Sequence, residues 1–421
     1  MSVATPEAPT SAAPAAERCP VDHSAFSRAY SHQKTAPAPE PAGAPVVERD
    51  PDGVWHVRGF ETARQVLRHT ETRQAGFKAE LMEHMPGQQN KPILYQEGKD
   101  HLQQRKQTAR FFTPTTTSAK YRALMEKLAD ELVAELRASR RGDLSQLSMR
   151  LAVAVASEVV GLTDSSRPGM DRRLDAFFSG DMAPPGRSLR SLITFVRNQL
   201  RMMAFFYFDV KPAIAARRKE RKADVISHLI DQNYSESAIL IECVTYGAAG
   251  MVTTREFISV CTWHLLEQPE LRARYLAADE PERHAILNEI LRVEPVVSHL
   301  YRRATADLEV AAGEQAVTIP AGDLVDLHIY AANADEGVVG AEPLAICPGR
   351  ELHAEKATAP LLSFGDGHHR CPGGYIALQE TDLFLQRLLA LPGLRIEQAP
   401  KLTWAELSKS YELRQFMLAL D

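Results

Sequence analysis

The long middle of the chain, from about residue 99 to 293, constrains the fold most. "YRALMEKLADELVAELRASRRGD", "LSQLSMRLAVAVASEVVGL", "RSLRSLITFVRNQLRMMAFFYF" and "SAILIECVTYGAAGMVTTREFISVCTWHLLEQP" all set apolar residues at three- and four-residue steps, the spacing of helices that bury one face. Strand signals come from the ends. "GVWHVRGFETARQVLRHT" (53–70) reads as a short strand and a helix, "ADLEVAAGEQAVTIPAGDLVDLHI" (306–329) alternates between Gly and Pro punctuation, and "KLTWAELSKSYELRQFMLALD" closes the chain similarly. The pattern predicts a mainly α chain with a minor β region (α+β) built from both ends, and no internal repeat is visible. Residues 1–45, rich in Ala and Pro with sparse apolar side chains, are expected to be a disordered arm. Residues 46–421 hold the rest, and on length alone one large domain or two are both open.

With 44% hydrophobic and 24% charged residues and a net charge of −5, the chain has ample material for a core and no polyanion-binding surface, so nucleic acid is not an expected partner. The N-terminus lacks a basic start and an apolar run. The most apolar stretch, "LAVAVASEVVGL" (151–162), holds Glu158 and falls short of the roughly 18–20 residues of a spanning helix. No membrane span is expected. Five cysteines, at 19, 243, 261, 347 and 371, are scattered as in a reducing compartment with free thiols, so the expected location is cytoplasmic.

Chemistry concentrates in "LLSFGDGHHRCPGG" (361–374). A lone cysteine becomes a strong soft ligand only as a thiolate, which backbone N–H groups, a helix N-terminus, nearby cations or a metal stabilise. Gly365, Gly367, Gly373 and Gly374 let the backbone turn its amides inward. Pro372 suits the first turn of the amphipathic "GGYIALQETDLFLQRLLALPG", and His369 and Arg370 add cationic groups. Elsewhere, Glu289 and Arg292 stand three apart on an expected helix and His101 and Arg105 one turn apart on another, spacings that also decorate solvated helices. "YGAAGMVTTREF" (246–257) interrupts an apolar helical pattern with Gly247, Gly250 and two threonines.

The loop resembles the haem-binding signature of the cytochrome P450 family: F, G, x, G, x, His or Arg, x, Cys, x, G. Phe364, Gly365, Gly367, His369, Cys371 and Gly373 match its fixed positions, and the resemblance runs from roughly residue 50 to the end. It implies the cytochrome P450 fold as a single large domain over residues 46–421, haem b (iron protoporphyrin IX) ligated by Cys371, and a monooxygenase that activates dioxygen to oxidise, by hydroxylation, an apolar small molecule. Electrons would come from a separate ferredoxin and ferredoxin reductase, since no GxGxxG unit or cysteine cluster is present. It makes His101, Arg105, Arg302 and His369 the propionate ligands, with Arg303 a competitor of Arg302. Glu289, Arg292 and Arg350 become a buried structural network.

By the same resemblance Gly250 opens the groove over the iron and Thr253 handles dioxygen. The family's distal carboxylate is missing, because Val252 stands in its place. Two protons must then arrive by another route, with Thr254 and Glu256 as candidates. Phe77, Leu81, Met82, Phe177, Phe178, Met251, Val296, Val297 and His299 are expected to line an apolar pocket. Val252 leaves open a haem-thiolate enzyme of another kind (oxidative coupling, rearrangement or peroxide-driven oxidation), and a non-catalytic haem ligand-binding or sensor protein is the second alternative.

Overall fold

Helix boundaries follow from local chemistry. Asp143 accepts from the Ser145 amide at 3.0 Å and starts Leu144–Val160, which ends on Gly161 at a φ of 99°. Asp279 caps Glu280–Val293 through the Glu282 amide at 3.0 Å, with a proline in the first turn. Ser235 caps the helical run Glu236–Glu267. The molecule was analysed as a computed structural model, which describes residues 33–36, 43–77, 79, 91–178, 189–313, 315–405 and 409–421.

The β region is drawn from both ends of the chain, as expected. Strands β1 (Val47–Arg49), β2 (Trp55–Val57), β3 (Thr72–Gln74), β4 (Arg141–Asp143), β5 (His299–Ala304), β6 (Leu308–Ala312), β7 (Gln315–Ile319), β8 (Leu324–His328), β9 (Leu394–Gln398), β10 (Lys401–Ala405), β11 (Ser410–Arg414) and β12 (Met417–Leu420) form four sheets. The largest has the order β1-β2-β8-β5-β3, with β2 parallel to β8 and the other pairs antiparallel. Smaller sheets are β4-β12-β9 and the hairpins β6-β7 and β10-β11. The helices share one large core, and a second core of Val57, Phe60, Val325, Leu327 and Ile329 lies on one face of the five-stranded sheet. The architecture is mainly α with a minor β region, as the sequence pattern predicts.

Three sequence expectations change. Residues of the arm expected to be disordered are docked: the Lys34 and Thr35 amides donate to the Glu294 carboxylate at 2.6 and 3.1 Å, and Gln33 Nε2 donates to the Val293 carbonyl at 3.1 Å. The thiols are not all free. Cys243, Cys261 and Cys371 are free, whereas Cys347 is disulfide-bonded and Cys19 lies outside the described residues. Finally, one helix, Glu236–Glu267, is long and apolar enough to cross a membrane, although its Ile239, Cys243, Met251, Phe257 and Cys261 are packed in the main core.

Candidate active site

The ligand loop turns on two glycines in the left-handed region, of which Gly367 leaves no room for a side chain. Gly365 and Gly367 have φ of 66° and 63°, and a Cβ on Gly367 would meet the Leu67 carbonyl oxygen at 2.3 Å. On Gly374 it would press the Phe364 ring at 3.3 Å, while on Gly373 it would meet nothing within 4 Å. The Cys371 amide donates to the Phe364 carbonyl at 2.8 Å, closing the loop over helix Gly374–Leu389. Burial raises the Cys371 thiol above its ordinary range. Opposing it are the Gly373 and Gly374 amides, which donate to the sulfur, and the charges of Arg105 and Arg370. Cys371 is nonetheless exposed, so its sulfur keeps open surface although protein atoms crowd it.

Four nitrogen-bearing side chains converge beside it. His101 and His369 stack with ring centroids 4.3 Å apart, and Arg105 Nη2 donates to the Arg370 carbonyl. Burial first, and then the charges of His369 and Arg105, lower His101 to about 4. Its Nδ1 is buried without a partner. Arg302, 3% exposed, is lowered to about 10 by burial against the opposing charge of Glu97, and it donates to Gln74 Oε1 at 2.5 Å. Arg303 points elsewhere, donating to the Gly322 carbonyl at 2.8 Å.

These groups fit a carboxylate-bearing cofactor. One carboxylate already sits among them: Glu97 accepts from His369 Nε2 at 3.0 Å and from the Gln74 amide at 2.7 Å. Burial pushes Glu97 up, but the His369 bond and the charges of His369 and Arg302 hold it below its ordinary range. An unpartnered buried imidazole nitrogen, a buried guanidinium and a free thiol fit haem, whose iron Cys371 would hold and whose propionates His101, Arg105, Arg302 and His369 would hold.

The distal helix packs against helix Gly374–Leu389, and within it Gly247–Val252 is a π turn between Glu236–Tyr246 and Thr253–Glu267. Its extra residue shifts the helix phase. Ala249 is exposed in mid-helix, Thr253 is half-buried, and the Thr253 hydroxyl donates to the Ala249 carbonyl at 2.6 Å. Gly250, expected to open the groove, instead has Ala156 of the neighbouring helix as its nearest contact, 3.9 Å from an added Cβ. Met251, expected in the pocket, is fully buried in the core. It stands two residues from both Ala249 and Thr253, toward the opposite side of the helix.

Glu256 is also corrected as a relay candidate. Its carboxylate accepts from Arg255 Nε at 2.8 Å, Arg414 Nη1 at 2.6 Å and the Leu413 amide at 2.7 Å, so both oxygens are committed to packing the helix on β11. Thr254 is buried and hydrogen-bonds Glu380 on the ligand-loop helix. Burial raises Glu380 well above its ordinary range, and its Oε2 has no partner. Neither Glu97 nor Glu380 was anticipated from sequence, since both act through contacts distant in the chain.

Of the pocket residues, Phe177 and Phe178 pack edge to face at 5.1 Å, and Phe178 touches Gly247. Phe77 is half-buried with a φ of 55°. Val296 is in the main core and Val297 bridges to Ser410. Leu81 and Met82 lie outside the described residues. His299 is tied to Asp326 at 2.8 Å; alternation along β5 turns it to the face opposite Arg302, which removes it from the pocket.

The supporting ion pairs form as expected. Glu289 accepts from Arg292 at 2.7 and 3.1 Å and from the Cys347 amide at 2.9 Å, and Arg350 Nε lies 3.6 Å away. Arg292 also donates to the carbonyls of Asn333, Pro343 and Ala345.

A model of the family "Cytochrome P450" matches residues 283–394, the span that holds this network and the cysteine loop. The biotin biosynthesis cytochrome P450 of Bacillus subtilis is 25% identical over 362 residues, 81% of this chain and 84% of that protein. The erythromycin C-12 hydroxylase of Saccharopolyspora erythraea is 28% identical over 368 residues, 82% of this chain and 83% of its own. Among solved structures, CalO2 superposes with a TM-score of 0.73 at 23% identity, covering 90% of this chain and 94% of its own. A mutant of P450 EryK in complex with erythromycin B gives 0.71 at 23%, covering 90% and 93%. At these identities the structures speak for the fold, and the sequence relatives and the matched residues speak for the chemistry. The chain belongs to the cytochrome P450 family of haem-thiolate monooxygenases.

Proposed function

We propose that the protein hydroxylates an apolar small molecule with haem b held by Cys371, taking electrons from a separate ferredoxin and its reductase in the cytoplasm. The observation that carries this reading is the exposed Cys371 beside the cluster of His101, Arg105, Arg302 and His369, with Ala249 exposed and Thr253 half-buried on the distal helix. When bound, the haem supplies one-electron and oxygen chemistry, with the thiolate favouring O–O cleavage. The chain's own residues orient and protonate. His101, Arg105, Arg302 and His369 hold the propionates, and the Gly373 and Gly374 amides donate to the Cys371 sulfur.

Proton supply is assigned to Glu380 and Thr254. Glu380 is buried, which raises its carboxyl well above its ordinary range and favours the protonated form, and the Thr254 hydroxyl touches that carboxyl. Thr253, the next residue, presents its hydroxyl at the open face. A proton held at Glu380 thus lies one hydroxyl from the distal helix, and it substitutes for the acid that Val252 lacks. Exposed Lys106, Arg110 and Arg370, on the helix and loop joined by the Arg105–Arg370 bond, suit an acidic electron carrier. The apolar pocket is assigned to Phe77, Phe177 and Phe178.

The test is a reduced carbon-monoxide difference spectrum followed by ferric titration with apolar compounds, then turnover under labelled dioxygen with wild type and Glu380→Gln. A red-shifted band, label in the product and a slower, less coupled variant are expected. An unshifted band sinks the thiolate assignment. Val252 is buried and apolar, which favours as second reading a peroxide-driven or coupling reaction; turnover without reductant, or product without label, would select it.

A further inference from the structure

Away from the haem side, the five-stranded sheet carries a second cluster of ligating groups. Register sets His56 on β2 beside Asp326 on β8, and His299 on β5 beside His328 on β8. Val57, Val325 and Leu327 alternate with these residues and face the second core, so His56, Asp326, His328 and His299 share the other face. His56 Nδ1 and His328 Nε2 point at each other across 2.9 Å. Asp326 Oδ2 stands 3.7 Å from the first and 3.6 Å from the second, beyond hydrogen-bond reach of either.

We propose that His56 Nδ1, His328 Nε2 and Asp326 Oδ2 form a binding site for a divalent transition-metal ion of the zinc type. A point equidistant from these three atoms lies roughly 2 Å from each, the length of Zn–N and Zn–O bonds. Two imidazoles and a carboxylate are borderline donors that suit Zn²⁺ over Mg²⁺ or Ca²⁺. Three protein ligands leave a fourth position for solvent. The side-chain exposures, 21% for His56, 12% for His328 and 7% for Asp326, leave the ion a route in while shielding the carboxylate.

A second layer of carboxylate and imidazole contacts fits the same reading. His56 turns its other nitrogen to Asp50 Oδ2 at 3.1 Å, and Asp50 is itself fixed by accepting the Val54 amide at 2.8 Å. His299 Nδ1 reaches Asp326 Oδ1 at 2.8 Å and Oδ2 at 3.0 Å. A carboxylate behind a ligating imidazole fixes its tautomer and aim, as does a donor behind a ligating carboxylate. The ion would join β2, near the start of the fold, to β8, 270 residues later in sequence, and so staple the parallel strand pair.

The experiment uses the full-length, haem-loaded protein, stripped of adventitious metal by a chelator and dialysed. Zn²⁺ is titrated calorimetrically, and metal content is read by mass spectrometry after gel filtration. We expect one Zn²⁺ per chain and a Zn²⁺-dependent rise in melting temperature. Binding should be lost in His328→Gln and Asp326→Asn, and weakened about tenfold in Asp50→Asn, the effect typical of a residue behind a ligand. The reduced carbon-monoxide band checks that each variant is folded, and Asp50→Asn, in an exposed turn, carries the test if the buried variants fail to fold. Absence of stoichiometric Zn²⁺, or binding unchanged in the variants, overturns the proposal.

Discussion

Replacing Glu289 by glutamine keeps the shape of the side chain and removes one charge from the centre of the ion-pair network. Glu289 is 2% and Arg292 1% exposed, and Arg350 lies close enough to feel the same carboxylate. Burial already lowers Arg350 below its ordinary range, and the charge of Arg292 lowers it further; Glu289 is the opposing influence. Without it, two buried guanidinium groups face each other across a neutral amide. Removing one partner of a buried pair costs about 3–5 kcal/mol, out of a total stability of roughly 5–15 kcal/mol. The carbonyls of Asn333, Pro343 and Ala345 still accept from Arg292, which places the expected loss toward the lower end, about 3 kcal/mol. Urea unfolding of the haem-loaded protein measures it, with tryptophan fluorescence and the haem band as separate probes. The midpoint should fall while the slope is kept. A loss below about 1 kcal/mol would refute the reasoning, because it would put this pair among surface ion pairs.

Two other perturbations follow from buried charges. Burial raises Glu242 to about 7 against the Ile93 amide and Gln104 bonds; a carboxyl raised on folding favours the native state below about 4.5 and loses that contribution as pH rises to about 7. Glu242→Gln should therefore gain stability relative to wild type by about 3 kcal/mol between those limits and stay flat above them, as paired urea curves at pH 4.5 and 8 will show. Arg302→Gln removes a charge-assisted partner of about 1.5–3 kcal/mol, so haem should transfer to apomyoglobin roughly ten- to a hundredfold faster, with the reduced carbon-monoxide band position unchanged.

Legibility tracked contiguity. The cysteine loop was readable because backbone constraint and ligand lie within ten residues: Gly367 is obligatory beneath Leu67, and Cys371 follows in the same turn. Glu289 and Arg292 were readable as a one-turn pair. The distal helix was misread at two positions: the resemblance put Gly250 over the iron and Met251 in the pocket, whereas the exposed residue is Ala249, one helical turn before Thr253. His299 was recoverable in principle: once Arg302 is assigned to the haem side, strand alternation sends His299 to the other. Glu97, Glu380 and the His56–His328 contact had no local signal. Each depends on segments joined only by the tertiary fold.

The missing distal acid and the buried carboxyl at Glu380 are two sides of one arrangement. Val252 is 8% exposed and sits beside Met251, which is fully buried in the core. A carboxylate there would lose its hydration. The nearby cation, Arg255, is already committed to Glu256 and Asp175. Burying an uncompensated charge costs several kcal/mol or forces the group to stay protonated. Burial instead favours the protonated form of Glu380, which stands on the ligand-loop helix and touches Thr254 of the distal one. Moving the acid to Glu380 keeps the distal helix apolar where it packs and leaves Thr253 as the polar group at its open face. Val252→Asp should then lower stability without restoring the turnover lost in Glu380→Gln, since the added carboxyl would point into the core and not toward Thr254.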